Sequence, residues 1–136
     1  NYPYSKWHAE ANKETRLPFY HMSENSIVDL EHNQNGSKIT FKKSGMYLLM
    51  FNILCNNVLQ KPTKIFVYTT QGQSYSHYLN SPKILQPNVD SQLISGHKLS
   101  QYKEGDYIYV CINPETSLDI TGNSTVNTSF EIIKLQ

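Results

Sequence analysis

The side chains that enzymes ordinarily recruit are scattered along this chain. Its five histidines, His8, His21, His32, His77 and His97, never fall at the HxH or HxxxH spacing that brings two imidazoles to one metal ion. They read as solvated or hydrogen-bonded groups, and neither a metal nor any other cofactor is expected. The two cysteines, Cys55 and Cys111, have no histidine-bearing motif beside them to stabilise a thiolate. Asp106 follows Gly105 and reads as a turn aspartate accepting local backbone N–H groups, rather than as half of a carboxylate pair. No GxSxG elbow, phosphate-cradling loop or kinase pattern occurs. An enzyme needs a convergent acid, base or nucleophile set, and none is visible. The chemistry to look for is recognition.

Composition narrows the partner. A formal charge of +1 over 136 residues gives no pull toward nucleic acid or an anionic membrane. Arg16 is the only arginine, which argues against a site built on bidentate phosphate or carboxylate forks. Ten tyrosines, with many Ile, Val and Thr, suit pleated, half-buried surfaces. Asn35-Gly36-Ser37, Asn123-Ser124-Thr125 and Asn127-Thr128-Ser129 are N-glycosylation acceptors in polar, loop-like stretches. They favour an extracellular location. There a pair of cysteines is a candidate disulfide, Cys55 to Cys111. The competing reading is that each, lying in or at the end of an apolar strand, is a small buried hydrophobe. No apolar run of about 18 residues is present to span a bilayer. The chain begins at Asn1 and shows no secretory signal, so it reads as a mature product or a trimmed piece. Any membrane attachment would come through a segment outside it.

The elements that must carry these residues are strands. The length suits one domain that buries about two-thirds of its unfolded surface. Residues 1–16 are polar and read as an N-terminal arm partly ordered by Trp7, ahead of a domain over 17–136; a helical turn over 7–15 is open to the arm, but its apolar spacing there is poor. Short strands are expected at Leu17–Met22, Ser26–Leu30 and Lys38–Phe41, with a turn at 33–36. Met46–Cys55 is almost wholly apolar and reads as a strand buried on both faces. Lys64–Thr69, Tyr75–Leu79, Asp90–Tyr102, Tyr107–Ile112 and Phe130–Leu135 complete the set, with Lys103–Asp106 as a turn and 81–88 and 113–129 as connections. Eight to ten short strands, with no helical period, repeat or domain boundary, predict an all-β antiparallel sandwich or jelly roll.

Three segments in order resemble the tumour necrosis factor ligand superfamily. They are Ile39-x-Phe41-x-x-x-Gly45-Met46-Tyr47-Leu48-Leu49, then Tyr102-x-x-Gly105-Asp106 with Ile112-Asn113 and Leu118-Asp119, and finally Phe130-x-Ile132-Ile133-x-Leu135. Ser5-Lys6-Trp7-His8 is similar to the start of the branch containing the glucocorticoid-induced TNF-receptor ligand. The chain departs from the family at Ser129 and Glu131, which flank Phe130 where an aromatic pair and a Gly are usual. It departs again at Met50 and Asn52, where Tyr and Gln are common. In well-studied members these positions line a threefold axis.

The resemblance implies a TNF-like jelly roll that acts as an extracellular cytokine, either secreted or the ectodomain of a type II membrane protein. It implies a homotrimer around an axis lined by some combination of Tyr47, Leu49, Phe51, Phe130 and Ile132, and a TNF-receptor-family ectodomain gripped between protomers. Tyr75 and Tyr78, in the loop between the family's D and E strands, are the expected receptor contacts, since exposed Tyr is a favoured interface anchor. The family topology would also put the two cysteines in opposite sheets. Two readings from other classes stay open: a complement-type globular head, and a lectin sandwich with exposed aromatics and acid-amide clusters on one face.

Overall fold

The computed structural model describes residues 6–17, 27–33, 36–70, 76–78, 82–121 and 126–136. Twelve strands cover most of these residues. In chain order they are β1 (Lys6–Ala9), β2 (Thr15–Arg16), β3 (Val28–Asn33), β4 (Gly36–Phe41), β5 (Gly45–Cys55), β6 (Thr63–Thr70), β7 (Ser76–Tyr78), β8 (Lys83–Leu85), β9 (Gln92–Tyr102), β10 (Tyr107–Pro114), β11 (Leu118–Thr121) and β12 (Val126–Lys134). All pairings are antiparallel. One sheet runs β3-β4-β10-β6-β7, with β2 added to β10 and β8 to β6; a second runs β12-β5-β9; β1 and β11 form a separate ribbon.

The two larger sheets close on one core. From the three-stranded sheet come Tyr47, Leu49, Phe51, Ile53 and Cys55 of β5, Tyr102 of β9 and Val126 of β12. From the seven-stranded sheet come Ile39 and Phe41, Ile65 and Val67, Leu85, and Ile108, Val110 and Ile112. Every second residue of these strands points inward, as the two-residue period of a strand requires. At one end of the core Phe41 stacks on Tyr102 with ring centroids 4.2 Å apart and tilts against Tyr47 at 4.7 Å. The Tyr47 hydroxyl donates to the Lys43 carbonyl at 2.6 Å, and Thr69 donates to the Tyr102 hydroxyl at 3.0 Å, so both buried phenols have partners.

Several expectations change here. Residues 6–16 are stitched into the fold, with β1 paired to β11 and β2 to β10, and form strands in place of a helical turn. Trp7 and Ala9 belong to the core. The strand expected over Leu17–Met22 lies outside the described residues beyond Leu17. β8 and β11 occupy stretches that read as connections. Strand β5 is fully buried on one face only: its burial alternates, with Met46, Leu48, Met50 and Leu54 half-buried and Asn52 exposed.

The Lys103–Asp106 turn behaves as its residues predict. The Asp106 carboxylate accepts the Lys103 N–H at 2.8 Å, while Gly105 adopts φ +94°, a conformation that favours glycine. Gly45 answers a different need. A Cβ there would lie 2.1 Å from the Gln136 carbonyl oxygen, because the C-terminal residues run back along the start of β5.

Candidate functional site

The register of the three-stranded sheet sorts its side chains into two faces. Residues directly opposite in an antiparallel pair share a face. The core face carries Tyr47, Leu49, Phe51, Ile53 and Cys55, with Phe130 opposite Phe51 and Ile132 opposite Leu49. Phe130 and Ile132 are partly buried against the core, with the Phe51 and Phe130 ring centroids 5.9 Å apart. All five residues expected to line an oligomer axis therefore serve this chain's own sandwich. Tyr47, Leu49 and Phe51 retain 0, 0 and 2% of their surface, so they offer almost nothing to a second copy.

The other face is the open one, and it is ordered in rows across β9, β5 and β12. Gln101 lies beside Met46. Leu99, Leu48 and Ile133 form the next row, then His97, Met50 and Glu131, then Ser95, Asn52 and Ser129. Leu93 lies beside Leu54, which is also paired with Asn127. Ser95 donates to the Asn52 side-chain oxygen at 2.7 Å, which ties one row together. Leu93, Leu99, Ile133 and Leu135 remain 59, 57, 38 and 51% exposed. Together with the half-buried Met46, Leu48, Met50 and Leu54 they make a contiguous apolar face whose only ionisable side chains, among the described residues, are His97 and Glu131. A face of this kind on a soluble domain marks an interaction surface. Sequence reasoning placed the wrong half of β5 on it, although Asn52, Ser129 and Glu131 mark the parity.

The outer face of the seven-stranded sheet is built differently. Tyr68 stacks on Tyr109 at 5.1 Å, and Tyr107 on Tyr109 at 5.9 Å. The Arg16 guanidinium sits 3.9 Å above the Tyr109 ring and the Lys38 ammonium 4.6 Å from that of Tyr107. Tyr68 donates its hydroxyl to Glu14. The ring faces that a lectin would leave free for sugar stacking are engaged by the chain's own cations.

Cys111 lies on this same outer side, paired with Phe66 and Arg16, whereas Cys55 belongs to the core. Between them runs the layer of Ile108, Val110 and Ile112. Both thiols are free and buried, and the candidate disulfide does not form. A bond would need one strand to turn its side chains over. Burial raises the pKa of both thiols, that of Cys111 to about 12, which suits small buried hydrophobes.

The remaining expected positions are less fully placed. Tyr75, Asn35 and Asn123 lie outside the described residues. Tyr78 is paired with Tyr68 on the edge strand β7, and its side chain is outside what is described. Asn127 falls within β12, paired with Leu54, in a strand and not a loop. The described residues contain no group of three or more His, Cys, Asp or Glu able to hold a metal, and no helix among them is long and apolar enough to cross a membrane.

Two solved structures resemble this chain closely in shape. They are the crystal structures of murine APRIL at pH 8.5 and at pH 5.0, each with a TM-score of 0.61 and 16% sequence identity, covering 96% of this chain and 98% of that one. The fold is the TNF-like jelly roll. At that identity the likeness is one of fold, and it does not single out the branch of the glucocorticoid-induced ligand. No protein-family model and no curated protein sequence matches the chain.

Proposed function

We propose that this chain is the extracellular, receptor-binding domain of a TNF-type ligand that assembles as a homotrimer and signals by gathering receptor chains. The observation that carries the reading is the open apolar face of β12-β5-β9. Four large aliphatic side chains there stay more than a third exposed in the single chain. The face is not self-sufficient and calls for a cover. The fold supports the same reading, since APRIL is a TNF-ligand superfamily member. Three copies packed face-inward around one axis would cover all three faces at once, and the interface, being head-to-tail, closes as a ring.

Receptor chains would bind in the grooves between protomers, with Tyr75 and Tyr78 as the proposed anchors, Tyr78 lying on the edge strand β7. Clustering then works through avidity: a second and third receptor bind a ligand already held at the cell surface. The three acceptor sequences, at Asn35, Asn123 and Asn127, fit such a location. Light scattering of the purified chain at micromolar concentration tests the assembly. A mass three times the 15.7 kDa of one chain is expected, and a species of one chain mass alone would overturn it. Binding to displayed TNF-receptor-family ectodomains, weakened by Tyr75→Ala and Tyr78→Ala, tests the partner.

A further inference from the structure

We infer that the proposed assembly is held by an ion pair between His97 of one copy and Glu131 of the next, which makes it tighten as the pH falls from neutral toward mildly acidic values. The inference rests on the trimeric reading above and adds the regulation of that face. It starts from the register. His97 and Glu131 lie in one row, on either side of Met50, on the two outer strands of the three-stranded sheet as the described residues form it. Two strand spacings, about 9.6 Å of backbone, separate them within a chain, too far for a direct contact. Both side chains are exposed, and among the described residues neither has an ion-pair partner.

Ring closure brings the two edges together. When the strands run along the rotation axis, the rotation carries the β9 edge of one copy to the β12 edge of the next and leaves every residue at its own height. Row mates therefore meet: Leu99 faces Ile133 of the next copy, Ser95 faces Ser129, and His97 faces Glu131. These three rows are complementary, apolar with apolar, hydroxyl with hydroxyl, and base with acid, whereas the rows at the two ends set Leu93 level with Asn127 and Gln101 level with Leu135. The ring thus pairs the two ionisable groups of the face.

The groups that face His97 are few. Strand β5 presents Met46, Leu48, Met50, Asn52 and Leu54; β9 itself presents Leu93, Ser95, Leu99 and Gln101; β12 presents Ser129, Ile133 and the single carboxylate of Glu131. Imidazole is the side chain that changes charge between about pH 5 and 8. In the assembled state the carboxylate favours the protonated ring. Protons taken up on pairing therefore favour the assembly, so it tightens toward the acid side of neutral and loosens toward the alkaline side.

Sedimentation equilibrium of the whole chain at about pH 8 and about pH 6 tests this. The association constant is expected to rise by about fivefold for each pair formed. His97→Gln and Glu131→Gln should each still assemble, with the pH dependence abolished. The exchange of the two, His97→Glu with Glu131→His, should restore it. A wild-type chain that assembles equally at both pH values, or a Glu131→Gln variant that keeps the full pH response, would overturn the ion pair while leaving the trimer intact. A chain that stays monomeric throughout would overturn both.

Discussion

Tyr47 is fully enclosed, yet its hydroxyl finds the Lys43 carbonyl at 2.6 Å, two residues before β5 begins. The ring fills the core against Phe41 and the polar tip fastens the entry to the central strand. Tyr47→Phe keeps the packing and removes the bond, so it should cost about 1 kcal/mol, read as a fall of about 3–5 °C in Tm. An unchanged Tm would mean that the hydroxyl only fills space. The same reasoning separates the two cysteines. Their residue type and compartment argued for a bridge, but the parity of their strands sends one thiol inward and the other out. A sequence does not display that difference until the register is known.

At the level of strands, the ribbon of β1 and β11 depends on one residue. Trp7 is 8% exposed, and its indole N–H donates to the Arg16 carbonyl at 2.8 Å, tying β1 to β2. The neighbouring His8–Asp119 contact is exposed at both ends and contributes little. Trp7→Ala should lower stability by about 3 kcal/mol and release the amides of Leu118–Thr121 to rapid hydrogen exchange. Retained protection there would show that strand pairing alone holds the ribbon. These short strands were also the ones hidden from sequence reading. β2, β8 and β11 have two to four residues each, too few to show a period, and they exist only because β10, β6 and β1 offer an edge. The long strands β9 and β10 were legible because their alternation persists, whereas β12 was legible only from Phe130 on, its mostly polar first four residues reading as a connection. In β5 the existence of the strand was legible and its facing was not. Every residue but Asn52 is apolar or Gly, so a one-residue slip in parity exchanges core for open face without disturbing the pattern.

For the whole molecule, that parity decides which substitutions break the fold and which break the assembly. Phe130 packs on the core, so Phe130→Ser should destabilise the chain itself and disturb any assembly only as a consequence. Leu99 lies 57% exposed on the opposite face and makes no part of the core cluster. Leu99→Glu should therefore leave the Tm of the single chain within about 2 °C, as surface substitutions away from special features do. In the ring it would place three carboxylates against Ile133 of the neighbouring copies, out of water and with no cation in that row. An unpaired charge buried at an interface is costly enough to dissolve an association driven by aliphatic contacts. Light scattering should then find the 15.7 kDa chain alone at micromolar concentration, with near-ultraviolet circular dichroism of the tyrosines retained. A Leu99→Glu chain that still assembled in threes would move the interface off this face. In that case a partner other than a second copy would have to cover the exposed leucines.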